Sequence, residues 1–382
     1  MSKNQLKILF TGDFCPHYRI EKLTLNGEYN LVFNDFKKEF ATNDLNVVDL
    51  ECPLTLTTNT IEKTGPHQKA HPKTIELLNE INIGLVALAN NHILDYGGNA
   101  LMETIELCKK NKIITVGAGA NKELAKQPVI KEIKGKKIGF INVAESEWTI
   151  AKVTEPGANP MDLVETFNTI KSLQKKVDKI IVIAHGGNEF YHLPSPRLKK
   201  TYRFFIDAGA DAVISHHTHC YTGYEVYNNA PIFYGLGNFV YDWIDKKDVD
   251  WNFGYAVRLL IEDEISFEII PFKQNNGEQL GVHYLTINEK QQFEIRLKEL
   301  NSIISDDERL ESEFLKLCKE KERIYSLYLE PYRGRIGSGL RIKKLLPNLF
   351  SAYKKKQILN VIRCESHRDI LLKTLNDQIK KK

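Results

Sequence analysis

DAVISHHTHCY (211–221) is an apolar, β-branched run that ends in three histidines within four positions. Ala212–Ser215 has the composition of a strand. Histidines are costly to cluster for packing alone. With one residue between them, His217 and His219 can face a common centre from an irregular loop. In parallel α/β sheets, ligands bind beyond the carboxyl ends of the strands. The stretch therefore predicts a strand that hands its chain to a site.

Working outward, other strand-length apolar runs end the same way. LKILFT (6–11) leads into Gly12 and Asp13, and LNVVDL (45–50) into Glu51. IGLVALA (83–89) leads into Asn90, Asn91 and His92, with Asp95 beyond, and KIIVIA (179–184) into His185 and then Glu189. KIGFINV (137–143) is a further strand, and segments of helical period fall at 73–82, 99–111, 162–176 and 197–208. Strand alternating with helix implies βα units and a largely parallel sheet covered on both faces. Past residue 222 the pattern changes to hairpin-like antiparallel strands with turns at NN (228–229) and EDE (262–264).

Each of these polar residues has an ordinary explanation when taken alone. Asp13 is a helix cap or turn residue, Glu51 a surface charge, Asn91 a turn residue and His185 structural. Five strand ends supplying carboxylates, an amide and imidazoles together make coincidence a poor account. Carboxylate oxygens with neutral imidazoles suit one or two divalent ions of the Mn, Fe or Zn type. A carboxylate that bridges two ions is the usual device for activating water against a phosphoester.

The 382 residues are 42% hydrophobic and 27% charged, with a net charge of +4. From residue 331 onward there are 14 basic against 3 acidic residues, and before it 39 against 46. A mildly acidic body thus bears a basic tail, suited to an anionic polymer or membrane surface or to a solvated helix face. From about 288 the chain reads as helical and charged, which places a boundary between residues 1–287 and an extension over 288–382. The six cysteines form no CxxC pair, which fits a reducing compartment. No run approaches membrane-span length, and the first residues lack a signal-peptide pattern. The expected location is cytoplasmic, with peripheral contact at the inner membrane surface through the tail. No specific nucleic-acid partner is expected.

The segments FTGDFCP, NVVDLECPLT, ALANNHILDYG, VGAGANKELAKQPVI, IAHGGNEFYHLPSP, AGADAVISHHTHC and APIFYGLGNFVYD, spanning roughly residues 5–245, resemble the CapA/PgsA family. These are capsule-synthesis, poly-γ-glutamate-associated proteins of the calcineurin-like metallophosphoesterase superfamily. The resemblance implies an α/β, metallophosphatase-like sandwich of two mixed sheets flanked by helices, here with a helical, basic C-terminal extension. It carries Asp13, Glu51, Asn91, His185, His217 and His219 over as metal ligands. His92 takes the place of the superfamily's catalytic histidine, with Asp95 to orient it. Two positions depart from the superfamily pattern: Asp13-Phe14-Cys15 stands in place of Asp-x-His, and Glu51 in place of an aspartate. Cys15 or His17 is the candidate replacement for the missing histidine.

Around this set, Glu189 is the candidate to orient His185. His216 is a candidate for an outer or substrate-facing position, and His71 for substrate contact from its loop. Asn238 is a candidate for the site, with a turn role between Gly237 and Phe239 as its equal. The expected function is a metal-dependent hydrolase of phosphoester type in capsule, poly-γ-glutamate or cell-envelope polymer metabolism, acting on a phosphorylated substrate or anionic polymer. Two alternatives stand beside it: a non-catalytic, polyanion-binding component of a polymer-synthesis machine, and an amidohydrolase that cuts γ-glutamyl bonds.

Overall fold

In a computed structural model that describes residues 5–329 and 351–380, two mixed sheets stack face to face. Residues 330–350, which hold the first part of the basic tail, and residues 381–382 at its end lie outside the described residues. The first sheet contains β1 (Leu6–Cys15), β2 (Leu45–Leu50), β3 (Ile83–Ala87), β4 (Ile114–Val116), β13 (Asn238–Tyr241), β14 (Phe253–Ile261), β15 (Ile265–Asn276) and β16 (Gln279–Tyr284). Its order is β16-β15-β14-β1-β2-β3-β4, with β13 also on β1. The second sheet, β11-β12-β10-β9-β7-β6, uses β6 (Val129–Ile133), β7 (Lys136–Ala144), β9 (Lys179–His185), β10 (Ala212–His216), β11 (Tyr224–Tyr227) and β12 (Ala230–Phe233). A small pair is formed by β5 (Ala118–Gly119) and β8 (Gly157–Ala158).

Strand alternation divides the core. Ile8, Phe10, Val47, Leu85 and Ala87 point to a core shared with Ile181 and Ile183 of the second sheet. Their neighbours Leu9, Val48, Leu50 and Val86 point the other way. That second face is covered by α1 (Tyr18–Leu25), α2 (Asn30–Phe33), α3 (Ile75–Glu80) and α4 (Gly97–Lys110), which contribute Ile20, Val32, Phe33, Leu77, Leu78 and Leu101. The short α5 (Lys122–Ala125) sits on β5 and β8. On the outer face of the second sheet, α6 (Leu163–Leu173) and α7 (Pro196–Ala208) bury Ile170, Leu198, Tyr202 and Phe205. Asp162 and Ser195 cap these two helices through backbone N–H groups, and Pro196 occupies the first turn of α7.

The hairpin expectation past residue 222 is met at β11–β12 and β14–β15, whereas β13 pairs parallel with β1. Asn228 and Asn229 both have positive φ, 49° and 63°, as the turn between β11 and β12 requires. Beyond β16 the described residues form four helices: α8 (Ile287–Ile304), α9 (Asp307–Leu329), α10 (Ala352–Arg363) and α11 (Glu365–Lys380). Phe293, Leu300 and Ile304 of α8 enter the core between the sheets, so packing is continuous across residue 287. Phe314, Leu317, Cys318, Val361, Ile370 and Leu371 form a smaller core of their own among α9, α10 and α11.

Candidate metal centre

The carboxyl ends of both sheets meet, and the strand ends read from the sequence converge there. Asp13 lies in β1 directly between Asn238 of β13 and Asp49 of β2. That placement depends on Gly12, where an added Cβ would lie 1.7 Å from the Gly237 carbonyl oxygen. From the second sheet, His185 ends β9 and pairs with His216 at the end of β10. The chain then turns through His217 (φ 93°) and His219 (φ 54°). Left-handed backbone at two non-glycine residues costs on the order of 1 kcal/mol each, so the surrounding contacts must hold this loop against its preference.

Three groups of side chains result: two contain Glu51, and the third is made by Asp13, Asp49 and His185. In one of the first two, Glu51, His185 and His217 converge; in the other, Asp13, Glu51 and His219. His185 Nε2 lies 3.0 Å from Asn91 Oδ1, 3.1 Å from His217 Nδ1 and 3.5 Å from Glu51 Oε1. His219 Nδ1 lies 3.4 Å from Asp13 Oδ2, and His219 Nε2 lies 3.8 Å from Glu51 Oε1. Donor atoms set around an ion at bond lengths of about 2.1 Å are themselves spaced by about 3.0–3.4 Å. The cluster around His185 has that spacing.

Electrostatics points the same way. Glu51 is fully buried, and neither of its carboxylate oxygens has a hydrogen-bond partner. Such a carboxylate is expensive unless a cation compensates it. Burial pushes the Glu51 carboxyl above its usual range, against the pull of His219 and His185. Burial also acts to raise Asp13, but hydrogen bonds and charge from His216 and His219 outweigh it and hold that carboxyl well below the usual range. His217 is lowered to about 4 by burial and the neighbouring His185, which keeps its imidazole neutral, the form that binds metal. The donor set fits one or two divalent cations, with Glu51 shared between two of the groups.

The residues around this set differ in part from expectation. Asp49, not Glu189, is the acid beside His185: its Oδ2 lies 3.2 Å from His185 Nδ1 at ion-pair distance, without a hydrogen bond between them. Asp49 is buried within the apolar run of β2, and only its two-residue spacing from Glu51, which places both on one side of a strand, marks it in the sequence. Glu189 is exposed on the cavity wall instead. His216 Nδ1 lies 3.3 Å from Asp13 Oδ1, so His216 backs that carboxylate. Asn238 Oδ1 lies 2.9 Å from His219 Nδ1, which joins the Asn to the site.

Cys15 and His17 stand apart from the groups described. Cys15 is a buried free thiol in the core beneath the α1–α4 layer, and burial and the adjacent Cys52 raise its pKa well above the usual value. His17 Nε2 is 2.8 Å from the Asp242 carbonyl oxygen, and its ring packs tilted against Tyr18 and edge-on to Tyr241. His71 accepts a hydrogen bond from Lys73 N at a short helix start, away from the cavity lining.

His92 Nδ1 lies 2.7 Å from Asp95 Oδ2, so the ring donates to the carboxylate and leaves Nε2 for chemistry. Lys63, unmarked in the sequence reading, ion-pairs with Asp95 and lies 3.2 Å from His92 Nδ1. A cavity of about 430 Å³ opens over His92, Asn91 and His219. Trp148, Phe190, Tyr241 and Trp251 line it, with the Trp251 ring 4.9 Å from that of His219. The C-terminal extension closes it from above with Tyr325, Tyr353, Gln357, Asn360, Val361 and His367. The extension is held by Arg197, which bridges Glu145 and Asp369, and by Ser146 N, which donates to Glu365 Oε2 at 2.9 Å. Nothing in its composition announced this role.

Comparison with known proteins follows the same residues. The model of the bacterial capsule synthesis protein PGA_cap matches residues 7–243. The PGA biosynthesis protein CapA of Bacillus subtilis (strain 168) is 30% identical over 65% of this chain and 67% of its own length. The capsule biosynthesis protein CapA of Bacillus anthracis is 33% identical over 48% of this chain and 46% of its own length. Among solved structures, a hypothetical protein from Thermus thermophilus aligns over 70% of this chain and 99% of its own, at 14% identity and a TM-score of 0.45. The 5'-nucleotidase from Candida albicans SC5314 aligns over 84% of this chain and 59% of its own, at 10% identity and a TM-score of 0.42. With its matched segment carrying the strand ends that build the site, the chain belongs to the bacterial capsule synthesis protein PGA_cap family.

Proposed function

We propose that the chain is a metal-dependent hydrolase of phosphoester type that serves capsule, poly-γ-glutamate or envelope polymer metabolism. The observation that carries the proposal is Glu51: a buried carboxylate with neither oxygen hydrogen-bonded, shared by two of the ligand groups. Asp13, Glu51 and His219 would hold one divalent ion, and Glu51, Asn91, His185 and His217 the other. Ions bound there supply Lewis-acid polarisation of the scissile group and a lowered water pKa.

The chain's own residues complete the chemistry. His92, fixed at Nδ1 by Asp95, presents Nε2 to give a proton to, or take one from, a substrate oxygen. Lys63 adds positive charge beside it, which favours an anionic substrate. Aromatic walls and the helical roof exclude water from the reacting group. Asn238 keeps the His219 ring in place, and Asp49 sets a negative charge beside His185.

The test is turnover by manganese-loaded full-length protein on p-nitrophenyl phosphate, bis(p-nitrophenyl) phosphate and γ-glutamyl-p-nitroanilide. Hydrolysis of a phosphoester, lost in His92→Ala, is the expected result. Cleavage of the anilide alone would replace this reading with γ-glutamyl amidohydrolysis. Metal-loaded protein that turns over none of the three would contradict the hydrolase and favour an assembly component that binds an anionic polymer.

A further inference from the structure

A second kind of ligand set lies in the roof, outside the centre described above. Glu147, on the loop after β7, meets Cys364 and His367 at the junction of α10 and α11, with their ligand atoms all within 4.8 Å of one another. Cys364 is 1% exposed, and Glu147 and His367 are half-buried. RCESH (363–367) places a cysteine just before a helix and a histidine in its first turn, so both reach the same side. Tyr325 Oη lies 2.8 Å from His367 Nδ1, which fixes the ring and leaves Nε2 as the nitrogen for an ion. Asn360, 7% exposed, donates from Nδ2 to Glu147 Oε2 at 3.4 Å, and its buried Oδ1 has no hydrogen-bond partner. The amide that reaches the cluster's carboxylate thus keeps a buried oxygen without a donor.

We infer that Glu147, Cys364 and His367 bind a third cation, of zinc type, which clasps the C-terminal helices to the end of the second sheet. A thiolate and an imidazole with one carboxylate suit zinc far better than magnesium or manganese. The site is distinct from the main centre, whose three groups contain no cysteine. It also adjoins that centre, because Glu147 Oε1 lies 3.9 Å from His217 Nε2. The competing account makes Cys364 a plain helix cap and leaves Glu147 to the charge of Arg363, whose guanidinium lies 3.8 Å over the Trp148 ring.

Cobalt substitution of the full-length protein separates these accounts, because a thiolate ligand gives cobalt(II) a near-ultraviolet charge-transfer band that imidazole and carboxylate do not. We expect the band in the unmodified protein and in His217→Ala/His219→Ala, and its loss in Cys364→Ser. Serine keeps the helix cap, so the fold should survive that change. His367→Gln provides a second reading, with zinc affinity lowered about tenfold or more. Cobalt-loaded protein without the band, or a band that survives Cys364→Ser, would overturn the clasp whatever the main centre does.

Discussion

At the scale of single residues, the account rests on which atoms face the cluster and which stand behind them. Asp49 Oδ2 lies 3.2 Å from His185 Nδ1 as its counter-charge, on the side of the ring away from Nε2, which faces Asn91, His217 and Glu51. Asp49→Asn should therefore weaken manganese affinity by about 10- to 100-fold, read by calorimetric titration, while the far-ultraviolet spectrum is unchanged. His92→Ala should lower turnover by about 10²- to 10⁴-fold with metal content unaltered; loss of metal in that variant would assign His92 a ligand role instead. The convergence of Asp13, Glu51, Asn91, His185, His217 and His219 was legible because each follows an apolar run. Asp49 was not, because it lies inside one. Lys63 was not either, because a lysine in a polar loop carries no local signal of what the fold brings next to it.

Among elements, the close approach of β1 and β13 is the most exposed point of the design. A Cβ at residue 12 would overlap the Gly237 carbonyl oxygen, so Gly12→Ala must push the two strands apart. The expected cost is about 3 kcal/mol or more in chemical denaturation, together with weakened metal binding as Asp13 leaves its place between Asn238 and Asp49. Wild-type stability and affinity in that variant would show that the strands can separate freely. The main strands and helices were readable from apolar period, and the β11–β12 hairpin from its Asn-Asn turn. β4 and β6 were not: one has three residues, and the other alternates half-buried with exposed positions at a sheet edge.

Across the whole molecule, the extension beyond the matched family segment is a wall of the cavity, which its basic charge did not foretell. Part of that charge is spent inside the chain. Lys356 pairs with Glu62, Lys373 with Glu311, and Arg363 lies on Trp148. Among the described residues no helix is long and apolar enough to cross a membrane. Arg197 neutralises Glu145 and Asp369 where the roof meets the sheet. Arg197→Ala should cost on the order of 3 kcal/mol in a urea titration and speed proteolysis within 365–380, since it removes the cation shared by two carboxylates in a partly buried interface. Sequence period cannot show such a closure, because it depends on contacts across some 200 residues of chain.

The central claim is that two cation sites share Glu51. Metal content by plasma mass spectrometry, on full-length protein reconstituted with manganese and freed of excess, tests it most directly. The account predicts about two ions per chain, both lost in His217→Ala/His219→Ala. Protein that retains no manganese, or a double variant that retains it all, would contradict it.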